Sequence, residues 1–292
     1  MEMTTAIERR CPSCGGPLQM GDVFCEQCGA RAVADDGDSD RAELDLVVAA
    51  VVSDRGRVHR RNEDAFALEV VGERAVAAVV CDGISSASAS DAAARTAASA
   101  AIRVLAEGAQ APRDTVLAAV EAAYDAVAEV PWTTRAGRAV PSCTLVCALW
   151  HEAEIAVASV GDSRAYWIDA DGTRQLTVDH SWAEEQVAEG RLSPAQAMVD
   201  PRSHSITHWI GADAPPRPPQ VITHVPDRAG RLLLCTDGLW NYVATEAALR
   251  SLIEALPSGA SAAAVARELT ETALTRGGRD NITVAVVDVD PA

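Results

Sequence analysis

The sequence predicts an α+β fold in which antiparallel sheets are covered by helices. Beyond residue 43, short apolar runs rich in β-branched residues follow one another through turns, and helical stretches come in pairs. This grouping favours antiparallel sheets over a parallel sheet built from βαβ units. With 292 residues and 48% hydrophobic content, the chain can bury a large core, and its length suits one large domain plus an appendage.

Two C-x-x-C pairs separated by ten residues dominate the N-terminal segment. They are Cys11, Cys14, Cys25 and Cys28, and a glycine follows the second cysteine of each pair. Each pair can wrap one metal in a tight knuckle, so four thiolates would close a tetrahedral Zn²⁺ site. The pattern over residues 1–33 resembles a zinc ribbon of the short CPxCG type, whose stability the metal would supply. Disulfide pairing is the alternative, and it requires a secreted chain, for which the sequence holds no sign.

An acidic segment separates this ribbon from the rest of the chain. Residues 34–43 are small or charged and lack apolar periodicity, so we expect a flexible, self-repelling linker. A large domain over residues 44–292 would then follow.

The strands of that domain are predicted from apolar runs bounded by turns. They cover residues 46–52, 64–71, 74–81, 144–150, 155–160, 164–168, 174–178, 220–225, 231–235 and 282–289. Alanine-rich stretches predict helices over residues 90–107 and 113–129. Further helices should begin after the capping residues Ser181, Ser193, Thr245 and Ser261. Proline directly after Ser193 suits a first helical position.

Charge and hydropathy exclude several classes of partner. The formal net charge of -17 argues against nucleic acid or an anionic membrane, because both are polyanionic and the chain has no basic tract. Apolar runs are too short for a membrane span, and the N-terminus lacks the basic-then-apolar order of a signal peptide. We therefore expect a cytoplasmic protein, and a monomer.

Two apolar runs end in the same dipeptide, Asp82-Gly83 and Asp237-Gly238. One Asp-Gly pair after a strand is usually only a turn. Two copies instead suggest that each strand presents an acid at a sheet edge, where glycine lets the backbone approach whatever the acid holds. Asp64 at the start of one strand and Asp280 just before another belong to the same pattern.

Four carboxylates gathered at one sheet edge would repel one another unless a divalent cation lay between them. Oxygen ligands without neighbouring histidine or cysteine suit Mg²⁺ or Mn²⁺ rather than Zn²⁺. The cysteines of the large domain lie within apolar runs and are interpreted as buried packing residues: Cys81, Cys143, Cys147 and Cys235.

The order of motifs across residues 44–290 resembles the metal-dependent serine/threonine protein phosphatases of type 2C. The matching motifs are Ser53-Asp54-Arg55-Gly56, Asn62-Glu63-Asp64-Ala65, Asp82-Gly83, Ser142-Cys143-Thr144, Val160-Gly161-Asp162-Ser163-Arg164-Ala165-Tyr166, Leu176-Thr177-Val178-Asp179-His180-Ser181, Leu233-Leu234-Cys235-Thr236-Asp237-Gly238-Leu239 and Asp280-Asn281-Ile282-Thr283. Each motif alone is weakly specific, whereas the ordered set is highly specific.

This resemblance implies a β-sandwich flanked by helix pairs, with a two-metal centre at one end. The residues implied to hold two Mn²⁺ or Mg²⁺ ions are Asp64, Asp82, Asp237, Asp280 and the backbone carbonyl of Gly83. Asp162 matches a ligand of a weaker third metal in bacterial members. The implied reaction is hydrolysis of phosphoserine and phosphothreonine in the protein substrates of Ser/Thr kinases. A metal-bridging water attacks in line, so no protein nucleophile is required.

The chain departs from the family pattern at two places. The family usually follows Asp-Gly with a glycine-rich turn, whereas residues 84–87 here are Ile-Ser-Ser-Ala, in which serine side chains can serve the turn. The family also places a phosphate-binding arginine where this chain has His59. Neutral histidine binds phosphate weakly, so either protonated His59 or the neighbouring Arg60 or Arg61 would fill this role.

Two other functions remain open at the level of sequence. The domain could be a regulator that binds phosphoproteins without metal or catalysis, or the ribbon could be a docking module with the large domain as its scaffold. Among the histidines, His180 is interpreted as structural. His204 and His208 lie in the segment that the family uses as a mobile flap, where a substrate contact is open.

Overall fold

We describe the fold from a computed structural model. It describes residues 9–10, 17–18, 40–72, 75–108, 111–133 and 137–291. The chain divides into two compact units, Met1–Asp40 and Arg41–Ala292. In the first unit, Arg9–Arg10 (β1) pairs antiparallel with Pro17–Leu18 (β2). The four cysteines of the predicted zinc ribbon lie outside the described residues, so that site stays a prediction.

The second unit carries most of the secondary structure. Its strands are Arg41–Asp45 (β3), Ala49–Asp54 (β4), Ala65–Val71 (β5), Ala75–Cys81 (β6), Ser142–Cys143 (β7), Leu145–His151 (β8), Glu154–Val160 (β9), Arg164–Asp169 (β10), Thr173–Gln175 (β11), Ile210–Gly211 (β12), Gln220–His224 (β13), Gly230–Cys235 (β14) and Ile282–Val289 (β15). Its helices are Ser90–Glu107 (α1), Pro112–Ala128 (α2), Trp182–Ala188 (α3), Pro194–Met198 (α4), Asp237–Trp240 (α5), Glu246–Glu254 (α6) and Ala262–Thr275 (α7).

Two antiparallel sheets form the centre of this unit. One has six strands in the order β11-β10-β14-β15-β4-β3, and the other has five in the order β13-β9-β8-β6-β5. Their facing side chains pack into one core, in which Val51 and Leu234 of the first sheet join Val80 and Val146 of the second, all fully buried. The predicted α+β fold with antiparallel sheets is confirmed, and so is the sandwich that the resemblance implied.

Helices cover the outer face of each sheet. Alanines 93, 94, 97, 98 and 101 line the buried side of α1, and their small side chains let α1 and α2 lie close to the five-stranded sheet. Helices α5, α6 and α7 cover the six-stranded sheet. Along β14 the side chains alternate, so that Leu232 and Leu234 face the sandwich interior while Leu233 and Cys235 face the helices. Both faces of the central strands are therefore buried, which accounts for their continuous apolar runs.

The predicted helix starts are confirmed by their hydrogen bonds. Side chains of Ser181, Ser193, Thr245 and Ser261 each accept a hydrogen bond from the backbone N–H three residues on. These bonds satisfy backbone donors that have no partner within the helix.

Three predicted boundaries differ from the structure. Strand β3 begins at Arg41, inside the predicted linker 34–43. It is an edge strand, and its charged side chains pair with α7, as Glu43 does with Arg267. Residues 46–48 form a turn rather than a strand, with Val47 at a φ of 72°. The strand predicted over residues 174–178 ends at Gln175, and the Thr177 hydroxyl, instead of a backbone carbonyl, accepts from the Ala165 N–H.

A buried histidine should make folding stability sensitive to pH. His208 is fully buried, with Nε2 2.8 Å from Tyr124 Oη, so the substrate contact left open for it is wrong. Burial, followed by the nearby His180 and Arg217, lowers the pKa of His208 to about 4. In the unfolded chain this pKa is about 6.5, so as pH falls the unfolded state binds a proton that the folded state does not. The contribution of His208 to the free energy of unfolding is complete when the pH is above the pKa of the unfolded chain. That contribution is lost as the pH falls toward the folded pKa of about 4.

We expect the free energy of unfolding to fall by on the order of 1–3 kcal/mol between pH 7 and pH 4 because of His208. The measurement is urea unfolding of the wild type and of His208→Phe at both pH values. The variant should lose less stability on acidification than the wild type. An equal loss in both proteins would contradict this assignment.

Candidate functional site

The predicted acids meet at one end of the sandwich. Asp82 follows β6 and Asp64 precedes β5, and the pairing of Ala65 with Cys81 places these two ends side by side. Asp237 follows β14 and Asp280 comes just before β15, whose Val284 pairs with Cys235. A hydrogen bond of 3.0 Å from Thr236 Oγ1 to Asp64 Oδ2 then joins the edges of the two sheets.

Hydrogen bonds hold one carboxylate oxygen of Asp64, and the other oxygen lacks a partner among the residues that the structure describes. Its Oδ2 accepts from Thr236 and from Thr283 Oγ1, the latter at 2.7 Å. Thr283 lies 2.8 Å from Ser53 Oγ, which accepts in turn from Asn62. Asp64 Oδ1 is buried and has no hydrogen-bond partner among the described residues. A buried polar atom of this kind needs a ligand or a water molecule as its partner. The two threonines fix the orientation of the carboxylate that carries it.

The other acids are half-buried and lie close enough to repel one another. Burial, and then the carboxylates of Asp64 and Asp237, raise the pKa of Asp82 well above its usual value. Burial, and then Asp280, raise the pKa of Asp237 to about 7, and its Oδ1 also lacks a partner among the described residues. Burial raises the pKa of Asp64 too, against the hydrogen bonds from its two threonines. A cation among these groups would remove the repulsion.

The donor set fits a hydrated cation. Within the described ranges, no three His, Cys, Asp or Glu side chains are arranged as a ready metal cage. Mg²⁺ usually keeps several waters and binds one or two carboxylates, whereas a structural Zn²⁺ needs a closed set of protein ligands. Because the acids offer only carboxylate oxygens, Mg²⁺ or Mn²⁺ is the group that these residues suit.

The turn after Asp82 is built without the family's glycine run. A Cβ on Gly83 would lie 2.6 Å from the Glu63 carbonyl oxygen and 2.7 Å from that of Ser90, so only glycine fits there. Glu63 is buried, and its carboxylate accepts from Ser85, Ser90 and Arg61. Burial acts to raise the pKa of Glu63, but these three hydrogen bonds outweigh it and lower the value. The hydrogen bond from Ser85 thus anchors the turn of residues 84–87 to the buried carboxylate of Glu63.

Asn281 joins three segments of the centre. Its Nδ2 donates to the carbonyls of Arg55 and Arg61, and its Oδ1 accepts from the Glu63 N–H at 2.7 Å. The loop that precedes β5 is thereby fastened to the start of β15. Sequence reasoning assigned no role to Asn281 beyond its motif, and none to Thr236, Thr283 or Ser53. The signal in the sequence that could have indicated them is a polar residue inside or next to an apolar strand.

The structure places His59 beside a predicted metal ligand. His59 Nε2 lies 3.2 Å from Asp280 Oδ1. Of the two neighbouring arginines, Arg61 binds Glu63 and lies 3.5 Å from Asp91, so its guanidinium is already engaged. Arg60 is exposed.

Asp162 lies at the edge of the same acid group. Burial, and then Asp237, raise the pKa of Asp162 well above its usual value. Its carbonyl accepts from Trp240 Nε1 at 2.9 Å, and Arg164, paired with Asp179, lies 3.8 Å above the Trp240 ring. His204 stacks on the same ring with centroids 5.8 Å apart. The backbone of Asp162 is thus held by Trp240, whose ring in turn contacts Arg164 and His204.

His180 has the structural role predicted for it. The ring Nδ1 of His180 accepts a hydrogen bond from the Gly161 N–H at 3.1 Å, and the backbone N–H of His180 donates to the Gly161 carbonyl. The loop that carries Asp162 is therefore fastened to the start of α3.

Comparison with known proteins identifies the family. The family model described as Protein phosphatase 2C matches residues 55–273. The chain belongs to the protein phosphatase 2C family. The match spans all the acids except Asp280, which follows it in the chain.

Individual relatives within this family agree. The serine/threonine phosphatase stp of Listeria innocua is 34% identical over 145 residues, which is 50% of this chain and 56% of that protein. The chain thus spans about half the length of that curated relative. The crystal structure of serine/threonine phosphatase Stp1 from Staphylococcus aureus matches with a TM-score of 0.72 and 25% identity, covering 84% of this chain and 96% of that one.

A third similar structure is the catalytic domain of the serine threonine protein phosphatase PstP in complex with 2 manganese ions. It matches with a TM-score of 0.63 and 27% identity, over 86% of this chain and 99% of that one. As for membrane spans, the described helices include none that is both long and apolar enough to cross a bilayer.

Proposed function

We propose that this chain is a metal-dependent phosphoprotein phosphatase that hydrolyses phosphoserine and phosphothreonine. The observation that carries the proposal is the buried Oδ1 of Asp64, which has no partner in the described part of the chain and lies among mutually repelling acids, because it leaves a prepared place for a cation. The names of the relatives in the protein phosphatase 2C family support the same activity.

Specific residues would hold the cations. Two Mn²⁺ or Mg²⁺ ions would be held by Asp64, Asp82, Asp237, Asp280 and the Gly83 carbonyl, and Asp162 would belong to a weaker third site. When bound, such ions supply a water of lowered pKa and neutralise charge on the phosphoryl group. The manganese complex of the PstP catalytic domain supports this choice of metal.

The chain's own residues orient and support this centre. Thr236 and Thr283 aim Asp64, and Asn281 fastens the loop before β5. The thiols of the large domain are unsuited to act as nucleophiles, because all four are fully buried. Burial raises the pKa of Cys147 to about 12 and also raises the pKa of Cys81 and Cys235. Water is therefore the attacking group in this proposal.

His59 is proposed to contact the phosphoryl group as it enters. Its position beside Asp280 supports this, and the engagement of Arg61 by Glu63 leaves Arg60 as the other candidate cation of this loop.

The N-terminal segment is proposed to be a separate zinc ribbon. Cys11, Cys14, Cys25 and Cys28 would hold one structural Zn²⁺. The pairing of β1 with β2 supports it, because these strands flank the first C-x-x-C pair in the sequence. The protein is proposed to act as a monomer in the cytoplasm on the products of Ser/Thr kinases.

Hydrolysis is expected to require a divalent cation. A phosphothreonine peptide and an aryl phosphate should both be turned over with Mn²⁺ or Mg²⁺ and not with a chelator, because the acids alone repel a phosphate dianion. Phosphate release measured during a Mn²⁺ titration checks this. Full turnover in chelator would overturn the metal-dependent mechanism, and peptide binding without turnover would favour the non-catalytic regulator.

A further inference from the structure

A pocket of about 450 Å³ opens beside the acids of the proposed metal centre. Its lining includes Asp237 and Asp280 together with Arg276, Arg279 and Tyr242. Its volume is in the range of pockets that hold small organic ligands and exceeds what one phosphoryl group requires. Space therefore remains for substrate atoms next to the phosphorylated residue.

One tyrosine holds the backbone segment that carries both arginines. Arg276 Nη1 donates to the Tyr242 carbonyl at 2.6 Å, and the Arg279 N–H donates to Tyr242 Oη at 2.9 Å. Between them, Gly277 has a φ of 145°, and a Cβ there would lie 2.9 Å from Tyr242 Oη. Tyr242 packs against the core beneath α5 and α7. The segment that carries both arginines is thus anchored rather than free to turn away.

Neither of these guanidinium groups pairs with a carboxylate of the described residues. The side chain of Arg279 makes no hydrogen bond there, and that of Arg276 makes only the bond to Tyr242. Other arginines near the centre are already engaged, Arg61 by Glu63 and Arg164 by Asp179. In a chain with 42 acidic and 25 basic residues, two cations beside the site that no carboxylate of the described residues pairs with mark a preference for negative charge.

We propose that this pocket binds the carboxylate of an aspartate or glutamate that flanks the phosphorylated residue of the substrate. The inference rests on the proposed function and adds a substrate preference to it. Arg279 directly precedes Asp280, a proposed metal ligand, so the pocket and the phosphoryl site are neighbours. Three residues of an extended peptide span about 10 Å, at about 3.3–3.6 Å per residue. The acidic residue therefore lies within about three positions of the phosphorylated one.

The test compares phosphothreonine peptides that carry Glu or Gln at each position within three residues of the phosphothreonine. Wild-type protein, Arg276→Gln, Arg279→Gln and the control Arg113→Gln are assayed with Mn²⁺. Arg113 is exposed on α2, so the control makes the same charge change away from the pocket. At one or more positions the wild type and the control should favour Glu over Gln by about three- to tenfold in kcat/KM, as expected for guanidinium–carboxylate contacts at a partly exposed site.

Each pocket variant should bring this Glu-to-Gln ratio toward one, and high salt should lower it in the wild type. A wild-type ratio of one at every position, or a preference that survives both Arg276→Gln and Arg279→Gln, would overturn the inference while leaving the phosphatase proposal intact. If the wild type hydrolyses none of the peptides, the proposed function fails. The same peptide pairs, measured by fluorescence anisotropy with Mn²⁺ present, then decide the inference by the ratio of their Kd values.

Discussion

Replacing Asp82 with asparagine is expected to lower kcat by at least about a thousandfold, with little change in the shape of the site. The substitution keeps the side chain's size and removes the negative charge that a divalent cation requires, and cation stabilisation of the reacting phosphoryl group amounts to several kcal/mol. Asp280→Asn should have a similar effect. The measurement is steady-state hydrolysis of an aryl phosphate with Mn²⁺ at saturating substrate.

The same substitution should stabilise the protein when metal is removed. Burial and the neighbouring carboxylates raise the pKa of Asp82, so a neutral asparagine relieves repulsion in the metal-free fold. A higher unfolding midpoint in chelator, together with lost activity in Mn²⁺, would separate a functional role from a structural one. The matched control is Asp125→Asn on the exposed face of α2, which should change neither quantity. Retained turnover in Asp82→Asn would contradict the assignment of Asp82 as a metal ligand.

Replacing Gly238 with alanine is expected to destabilise the fold by about 3 kcal/mol or more. A Cβ at this position would lie 1.9 Å from the Asn281 carbonyl oxygen and 3.1 Å from the Ile282 Cα. Both are backbone atoms of the segment that begins β15, so no side chain can move aside to make room. Displacing Asn281 would also disturb its hydrogen bonds to Arg55, Arg61 and Glu63.

Urea unfolding of Gly238→Ala checks this prediction, with Gly172→Ala as the control. The nearest atom to a Cβ on Gly172 is the end of the Arg250 side chain at 3.5 Å, an ordinary contact. The control should therefore lie within about 1 kcal/mol of the wild type. Similar unfolding midpoints for the two variants would show that the segment at Asn281 can shift at low cost.

The acids were predictable from the sequence because each carries a local signal. Asp82 and Asp237 each end an apolar run, and glycine follows both. The antiparallel pairing of Ala65 with Cys81 brings Asp82 next to Asp64, and the hydrogen bond from Thr236 to Asp64 links this edge to the end of β14. The same locality explains the helix starts, where the capping residue and the N–H that it accepts from lie three positions apart.

The residues that orient the acids were not predictable in this way. Thr236 and Thr283 reach Asp64 across 172 and 219 positions of sequence, and a threonine in or directly after a strand has no local mark of such a partner. The first three residues of the edge strand β3 fall inside the predicted linker, because Arg41, Ala42 and Glu43 are charged or small and show no apolar periodicity. His208 lies in an irregular segment, where burial has no periodicity to reveal it.

The direct test of a cation centre at Asp64, Asp82, Asp237 and Asp280 is a count of bound manganese. Electron paramagnetic resonance of free Mn²⁺ during a titration of the full chain gives this number for the wild type and for Asp82→Asn. We expect about two tightly bound Mn²⁺ per wild-type chain, apart from the weaker site at Asp162, and at least one fewer in the variant. Equal binding by the two proteins, or no binding by the wild type, would contradict the metal centre.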